Sequence, residues 1–182
     1  MTAAPGGGEA AQAAEGSQGP DFGDARSKVV SWYDPMQLAS AAAGLSGLDF
    51  LQALLDGTLP PPPIASLLGM SPVSVTPGDV VFTCLPDESV YNPIGVVHGG
   101  LVCTLLDTVT ACAVHSTLPL GVGYTSIEIK VSYLRPVAAG AELTAHGWVT
   151  KPGRRAAFAE GDVRDASGVL LATASSTCLV MS

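Results

Sequence analysis

The sequence predicts an α+β domain in which an antiparallel sheet, with strand and helix order β-β-α-β-β-β-β, wraps around one long central helix. Three observations carry this. Leu101, Val102, Leu105, Leu106, Val109 and Ala113 recur at helical spacing between His98 and Thr117, a segment apolar enough to be buried. Thr125, Ile127, Ile129, Val131 and Tyr133 alternate with Ser126, Glu128, Lys130 and Ser132, the period of a half-buried strand. Short turns such as Pro77-Gly78-Asp79 and Pro152-Gly153 join neighbouring strands, and such connections make antiparallel pairs. A helix this apolar must be covered by the sheet. The sheet has edges, and an open edge is a template for a second copy of the chain.

In chain order, residues 1–28 are Ala, Gly, Gln and Glu with one aromatic, Phe22, too little apolar area to offset their ordering entropy, so a disordered tail is predicted. Residues 29–65 read as an N-terminal extension. Leu48, Leu51, Leu54 and Leu55 have helical spacing with Gly57 as the stop, and Pro60 to Pro63 then favour an extended connector without helix. Residues 66–182 form the main domain. Val73–Thr76 and Val80–Leu85 flank the first turn as two strands, and His98 to about Thr117 is the helix. Strands follow over 125–133, ending at Arg135-Pro136, then over 141–151, 155–164 and 169–180, the last two separated by Asp165-Ala166-Ser167-Gly168.

With 182 residues, 47% of them hydrophobic and 13% charged, the chain has room for one domain with a substantial core. Eight Lys and Arg against sixteen Asp and Glu give a net charge of −8, which opposes nucleic acid and anionic membranes as partners. No apolar run reaches the ~20 residues of a membrane span and no secretory leader is evident, so a soluble, cytoplasmic protein is expected. Cys84, Cys103, Cys112 and Cys178 stand singly among apolar residues and read as reduced, space-filling thiols. His98, His115 and His146 lack metal-ligand spacing, so no metal or other cofactor is expected, and no G-x-S-x-G elbow is present for a serine hydrolase.

The unusual chemistry is concentrated in Asn92-Pro93-Ile94-Gly95-Val96-Val97-His98-Gly99-Gly100, directly before the long helix. Glycines at a helix mouth allow close approach to backbone N–H groups that have no intrahelical partner, which is how an oxyanion hole is built, although they also suit a tight entry turn. Asp107 stands mid-helix among apolar residues, where a carboxylate would be costly to bury without a task. Gly100, Cys103, Thr104, Thr110 and Ala111 leave space around it on the same stripe. A desolvated carboxylate in a cleft is a good general base or nucleophile. On one helix His98 and Asp107 are about 13.5 Å apart in rise and half a turn apart in direction. A site using both most simply takes the Asn92/His98/Gly99 end of one chain and Asp107 of a second, across a two-fold axis.

The run N-P-x-G-x-V-H-G-G-x-x-x-x-x-x-D, from Asn92 to Asp107, resembles the signature of hotdog-fold thioesterases of the phenylacetate-degradation type. Thr125-Ser126, Tyr133-Leu134-Arg135-Pro136, Gly153-Arg154-Arg155 and Asp165-Ala166-Ser167-Gly168 agree with it, so the resemblance spans roughly Pro62 to Val180. It implies a hotdog fold and an acyl-CoA thioesterase that needs no cofactor and works as a homodimer or a dimer of dimers. By resemblance the Gly99 N–H polarises the thioester carbonyl, His98 holds the loop, and Asn92 positions water or the carbonyl. Asp107 of the neighbouring subunit activates water or attacks the acyl carbon. A hydroxyl residue early in the next strand assists, Ser126 by alignment with Thr125 as competitor. Arg154 and Arg155 are candidates for the coenzyme's phosphates, Lys130 is a weaker one read as sharing a face with Ser126, and Gly100 lines the carbonyl site. Six of the eight basic residues lie after position 129, which reconciles an acidic chain with a polyanionic ligand. The alternatives are an acyl-CoA-binding hotdog protein without activity and an acyl-thioester hydratase or dehydratase. The helix at 45–56 and the prolines are candidate covers for the acyl pocket, whose preference among acyl groups the sequence leaves open.

Overall fold

Helical and strand periodicities sort this chain into one sheet and one buried helix, seen in a computed structural model that describes residues 21–181. The tail predicted over 1–28 falls largely outside that range. Residues 21–28 carry no helix or strand, and Arg26 and Lys28 pair with Glu88 and Asp87. Helix α4, Gly99–His115, is the central helix, with Leu105, Leu106, Val109, Ala113 and Val114 fully buried. Six strands curl around it: β1 Met70–Thr76, β2 Asp79–Cys84, β3 Gly123–Tyr133, β4 Leu143–Lys151, β5 Ala156–Asp165 and β6 Leu170–Met181. Every pairing is antiparallel and the spatial order is β1-β2-β4-β5-β6-β3, so β1 and β3 are the edges. This is the hotdog architecture.

The helix lies close to the sheet because two glycines face it. Gly147 on β4 and Gly161 on β5 are direct cross-strand partners, and a Cβ on Gly147 would come within 2.3 Å of the Val109 carbonyl oxygen. A side chain at Gly147 would lift α4 from the sheet, while one at Gly161 would press on the His146 carbonyl of β4 and on the Thr110 and Val109 methyl groups.

The extension is more helical than its sequence suggests. Helix α1, Pro35–Ala42, buries no residue and so leaves no amphipathic trace. Helix α2, Gly47–Leu55, is capped by Ser46, whose side chain accepts from the Asp49 N–H. Its Leu51 sits in the main core, and Gly47 packs so tightly on the end of α4 that a Cβ there would overlap the His115 carbonyl. The proline run does not exclude helix. It is extended through Pro62, and Pro63 then opens helix α3, Pro63–Leu68. A proline at the first helical position loses no hydrogen bond and brings a helix-compatible φ.

Strand β3 departs from strict alternation. The ladder between β3 and β6 shifts register between Ser126 and Glu128, a β-bulge at Ile127. The extra residue reverses the alternation: Tyr124 and Ser126 point inward before it, Ile129 and Val131 after it. Strict period two had put Ser126 and Lys130 on one face, and the bulge puts them on opposite faces.

Candidate active site

The loop before α4 is built by two side chains. The Asn92 Oδ1 accepts from the Ile94 and Val96 N–H groups at 3.1 and 3.2 Å, while Gly95, at φ +81°, closes the turn onto the Asn92 carbonyl. The Asn92 side-chain oxygen is thus committed within its own loop. His98 caps α4: its Nδ1 accepts from the Gly100 N–H at 2.8 Å, which leaves the ring proton on Nε2, and its own N–H donates to the Val90 carbonyl at 2.8 Å. Gly100's donor is consumed by that cap. The Gly99 N–H has no acceptor among the described residues, and it projects from the helix N-terminus, where partial positive charge accumulates.

Tyr133 completes this end, and the sequence pattern gave it no role beyond closing β3. Its phenol donates to the Gly99 carbonyl at 3.0 Å, and its ring lies 3.2 Å from where a Gly99 Cβ would be. Glycine at 99 therefore answers a close approach by this ring. A cleft of about 320 Å³ opens beside Gly99, Val102 and Tyr133.

Asp107 lies eight residues further along α4, half-buried, and its Oδ1 accepts from the Ser126 hydroxyl at 2.8 Å. Its other oxygen has no partner among the described residues. The bulge at Ile127 is what turns Ser126 inward, whereas Thr125 faces solvent. Thr104, Thr108 and Thr110 donate back to carbonyls one turn earlier, so the polar stripe around Asp107 is satisfied without it. Burial, and after it the Asp107 charge, pushes the Cys112 thiol up to about 12. Burial, Cys112, Cys178 and Asp107 together push the Tyr124 phenol up.

One chain thus presents two clusters. His98, Gly99 and Tyr133 meet at one end of α4 and β3, and Asp107 and Ser126 meet at a second place, about 12 Å of helix rise away. Gly100 belongs to the first cluster and Thr125 to neither. Ala157, Cys178 and Ser126 form one row across β5, β6 and β3. The exposed Arg154 and Arg155 sit in the β4–β5 hairpin just beyond that row, with Arg155 about 12 Å from Ser126 by strand spacing and rise. Lys130 stands on the outer face beside Trp148 and Glu160, away from Asp107.

The thioesterase superfamily model matches residues 94–172, a range that holds Gly99, Asp107, Ser126 and the arginine hairpin. Acyl-coenzyme A thioesterase 13 of Homo sapiens is 33% identical over 101 residues, 55% of this chain and 71% of its own length. The chain belongs to the thioesterase superfamily. Among solved structures, a phenylacetic acid degradation-related protein from Ralstonia eutropha JMP134 superposes with a TM-score of 0.66 at 31% identity, over 71% of this chain and 98% of its own. A Streptococcus mutans protein bound to acetyl CoA superposes with a TM-score of 0.58 at 25% identity, over 62% and 88% of the two chains. This thioesterase is accordingly a thioester hydrolase, and its N-terminal extension lies outside the family match. None of its helices, among the described residues, is long and apolar enough to cross a membrane.

Proposed function

We propose that this thioesterase hydrolyses an acyl-CoA to the free acid and coenzyme A, at sites each shared by two copies of the chain. The observation that carries the reading is the complementarity of the two clusters: an unpaired Gly99 N–H at a helix mouth, and a half-buried Asp107 with one oxygen steered by Ser126 and the other open. The thioester carbonyl oxygen accepts from the Gly99 N–H, which stabilises the negative charge that develops there in the transition state. Asp107 of the other subunit takes a proton from water as the hydroxide adds to the acyl carbon. Collapse of the tetrahedral intermediate breaks the carbon–sulfur bond, and the coenzyme thiolate leaves and takes up a proton. In the nucleophilic route Asp107 adds to the acyl carbon itself, and water then cleaves the anhydride. Where water attacks the Asp107 carbonyl of that anhydride, a single turnover in ¹⁸O-water puts the label in the Asp107 carboxylate, which the general-base route never does.

Support for two copies comes from β3, an eleven-residue edge strand whose Ile127 and Tyr133 are 58% and 55% exposed. Such an edge is suited to continuing the sheet into a second chain. Arg154 and Arg155 are the proposed phosphate contacts, and the acetyl CoA bound by the Streptococcus mutans relative supports a coenzyme A ligand. The reaction as proposed uses no metal or redox group. The three histidines lie apart: His98 caps the start of α4, His115 is its last residue, and His146 on β4 pairs with Asp79. The test is release of free thiol from a panel of acyl-CoAs. Turnover of one or more supports the reading, whereas a change in enoyl absorbance without thiol would indicate a hydratase and overturn it.

A further inference from the structure

We infer that the N-terminal extension builds the acyl pocket of this thioesterase and limits the acyl group to roughly eight to ten carbons. The inference rests on the acyl-CoA reading and concerns the substrate class of the same site. Between the extension and α4 lies a pocket of about 270 Å³, lined almost wholly by apolar side chains. Close-packed interiors leave few voids larger than a water molecule, and an apolar cavity of this size gains nothing from solvent. It is about 1.8 times the ~150 Å³ cavity that takes a six-carbon benzene ring, room for roughly ten carbons at most.

The position of the pocket ties it to the reaction. Its inner wall is Thr108 and Cys112 on α4 and Tyr124 on β3. Thr108 follows Asp107 directly, and Tyr124 shares the inward face of β3 with Ser126, which holds Asp107. The carboxylate and the pocket are therefore adjacent on the same two elements, so an acyl carbon at Asp107 can send its tail inward. The far end is closed by rings: His115 packs against Phe50 at 5.6 Å and Tyr124 at 4.9 Å between centroids. The outer wall is the extension, chiefly Leu54 on α2, Pro62, and Ile64 on α3, none of which falls within the family match at 94–172. This wall is fixed rather than a loose lid, because Leu51 is in the core and Gly47 is wedged against α4.

The test is kcat/KM for acetyl-, octanoyl- and palmitoyl-CoA with the full chain and three variants. The wild type is expected to favour octanoyl-CoA over both others. Leu54→Trp fills the pocket, and Ile64→Trp does so from a position that is 46% exposed and tolerant of substitution. Each is expected to lower the octanoyl-to-acetyl ratio at least tenfold. Phe50→Ala opens the closed end and is expected to raise the palmitoyl-to-octanoyl ratio. Hydrolysis by folded Ile64→Trp and Leu54→Trp with the ratio unmoved would overturn this inference alone. A wild type that hydrolyses no acyl-CoA would overturn it together with the reading on which it rests.

Discussion

Replacing Gly147 with alanine tests how the sheet sets the position of the helix that carries Asp107. The added Cβ would lie 2.3 Å from the Val109 carbonyl oxygen, 2.4 Å from its carbon and 2.9 Å from the Thr110 nitrogen, where ordinary contact begins at 3.4 Å. All three neighbours are helix backbone, so no side chain can swing away. The helix must move by about 1 Å. Overpacking of this kind costs ~1–3 kcal/mol, and a rigid neighbour places it near the upper end. For a chain of this length ~3 kcal/mol lowers Tm by about 6–12 °C. Asp107 is two residues before Val109 on the same helix, and a misplacement of ~1 Å can cost ~100-fold in rate. Thermal unfolding and thiol release measure the two effects. Gly44→Ala is the control, since its Cβ would meet nothing within 4 Å. A Gly147→Ala protein with wild-type Tm and wild-type rate would refute the idea that Gly147 seats the helix.

Three further outcomes follow from the same geometry. Ser126→Ala removes a hydrogen bond to a carboxylate, worth ~1.5–3 kcal/mol, and should lower kcat about 10- to 150-fold, whereas Thr125→Ala should leave it within twofold; the reverse order would reassign the hydroxyl. Burial lowers the His115 pKa below 6.5, so below that pH the unfolded chain binds a proton that the native state resists, and stability falls as pH drops from about 6.5 through the folded value. Asp56, Asp87 and Asp165, whose pKa values are lowered by hydrogen bonds, contribute stability that is lost only below about 3.8 and do not interfere. Urea midpoints at pH 7 and pH 5 should therefore differ less in His115→Phe than in wild type, and an equal difference would contradict the assignment. Co-expressing Asp107→Ala with His98→Ala should restore about a quarter of wild-type activity, because half of randomly mixed two-fold dimers carry one intact site. No recovery would place the whole site within one chain.

The helix α4 and the strands after it were legible because their faces differ in polarity, and period alone found them to within two residues at most ends. Helix α1 left no such trace because it buries nothing, and α3 was hidden by a proline that starts a helix as readily as it stops one. The bulge at Ile127 was invisible for a physical reason: one inserted residue changes which side chains face inward without changing composition. Asp107, His98 and Gly99 stood out in the sequence as polar or small residues where an apolar helix needs neither. Tyr133 and the pocket behind Leu54 did not, since each acts through a contact between segments far apart in the chain. Ser126 and Thr125 were both candidates in the sequence, and of the two it is Ser126 whose hydroxyl donates to Asp107.

In the proposed reaction the Asp107 carboxylate drives thioester cleavage. Its most direct test is kcat for thiol release from octanoyl-CoA by Asp107→Asn, a variant that keeps the shape and the capacity to accept from Ser126 but cannot take a proton or attack as a carboxylate. A fall of at least ~100-fold with Tm and oligomeric state preserved is expected, on the usual scale for loss of a general base. A folded Asp107→Asn enzyme within a few-fold of wild type would contradict it.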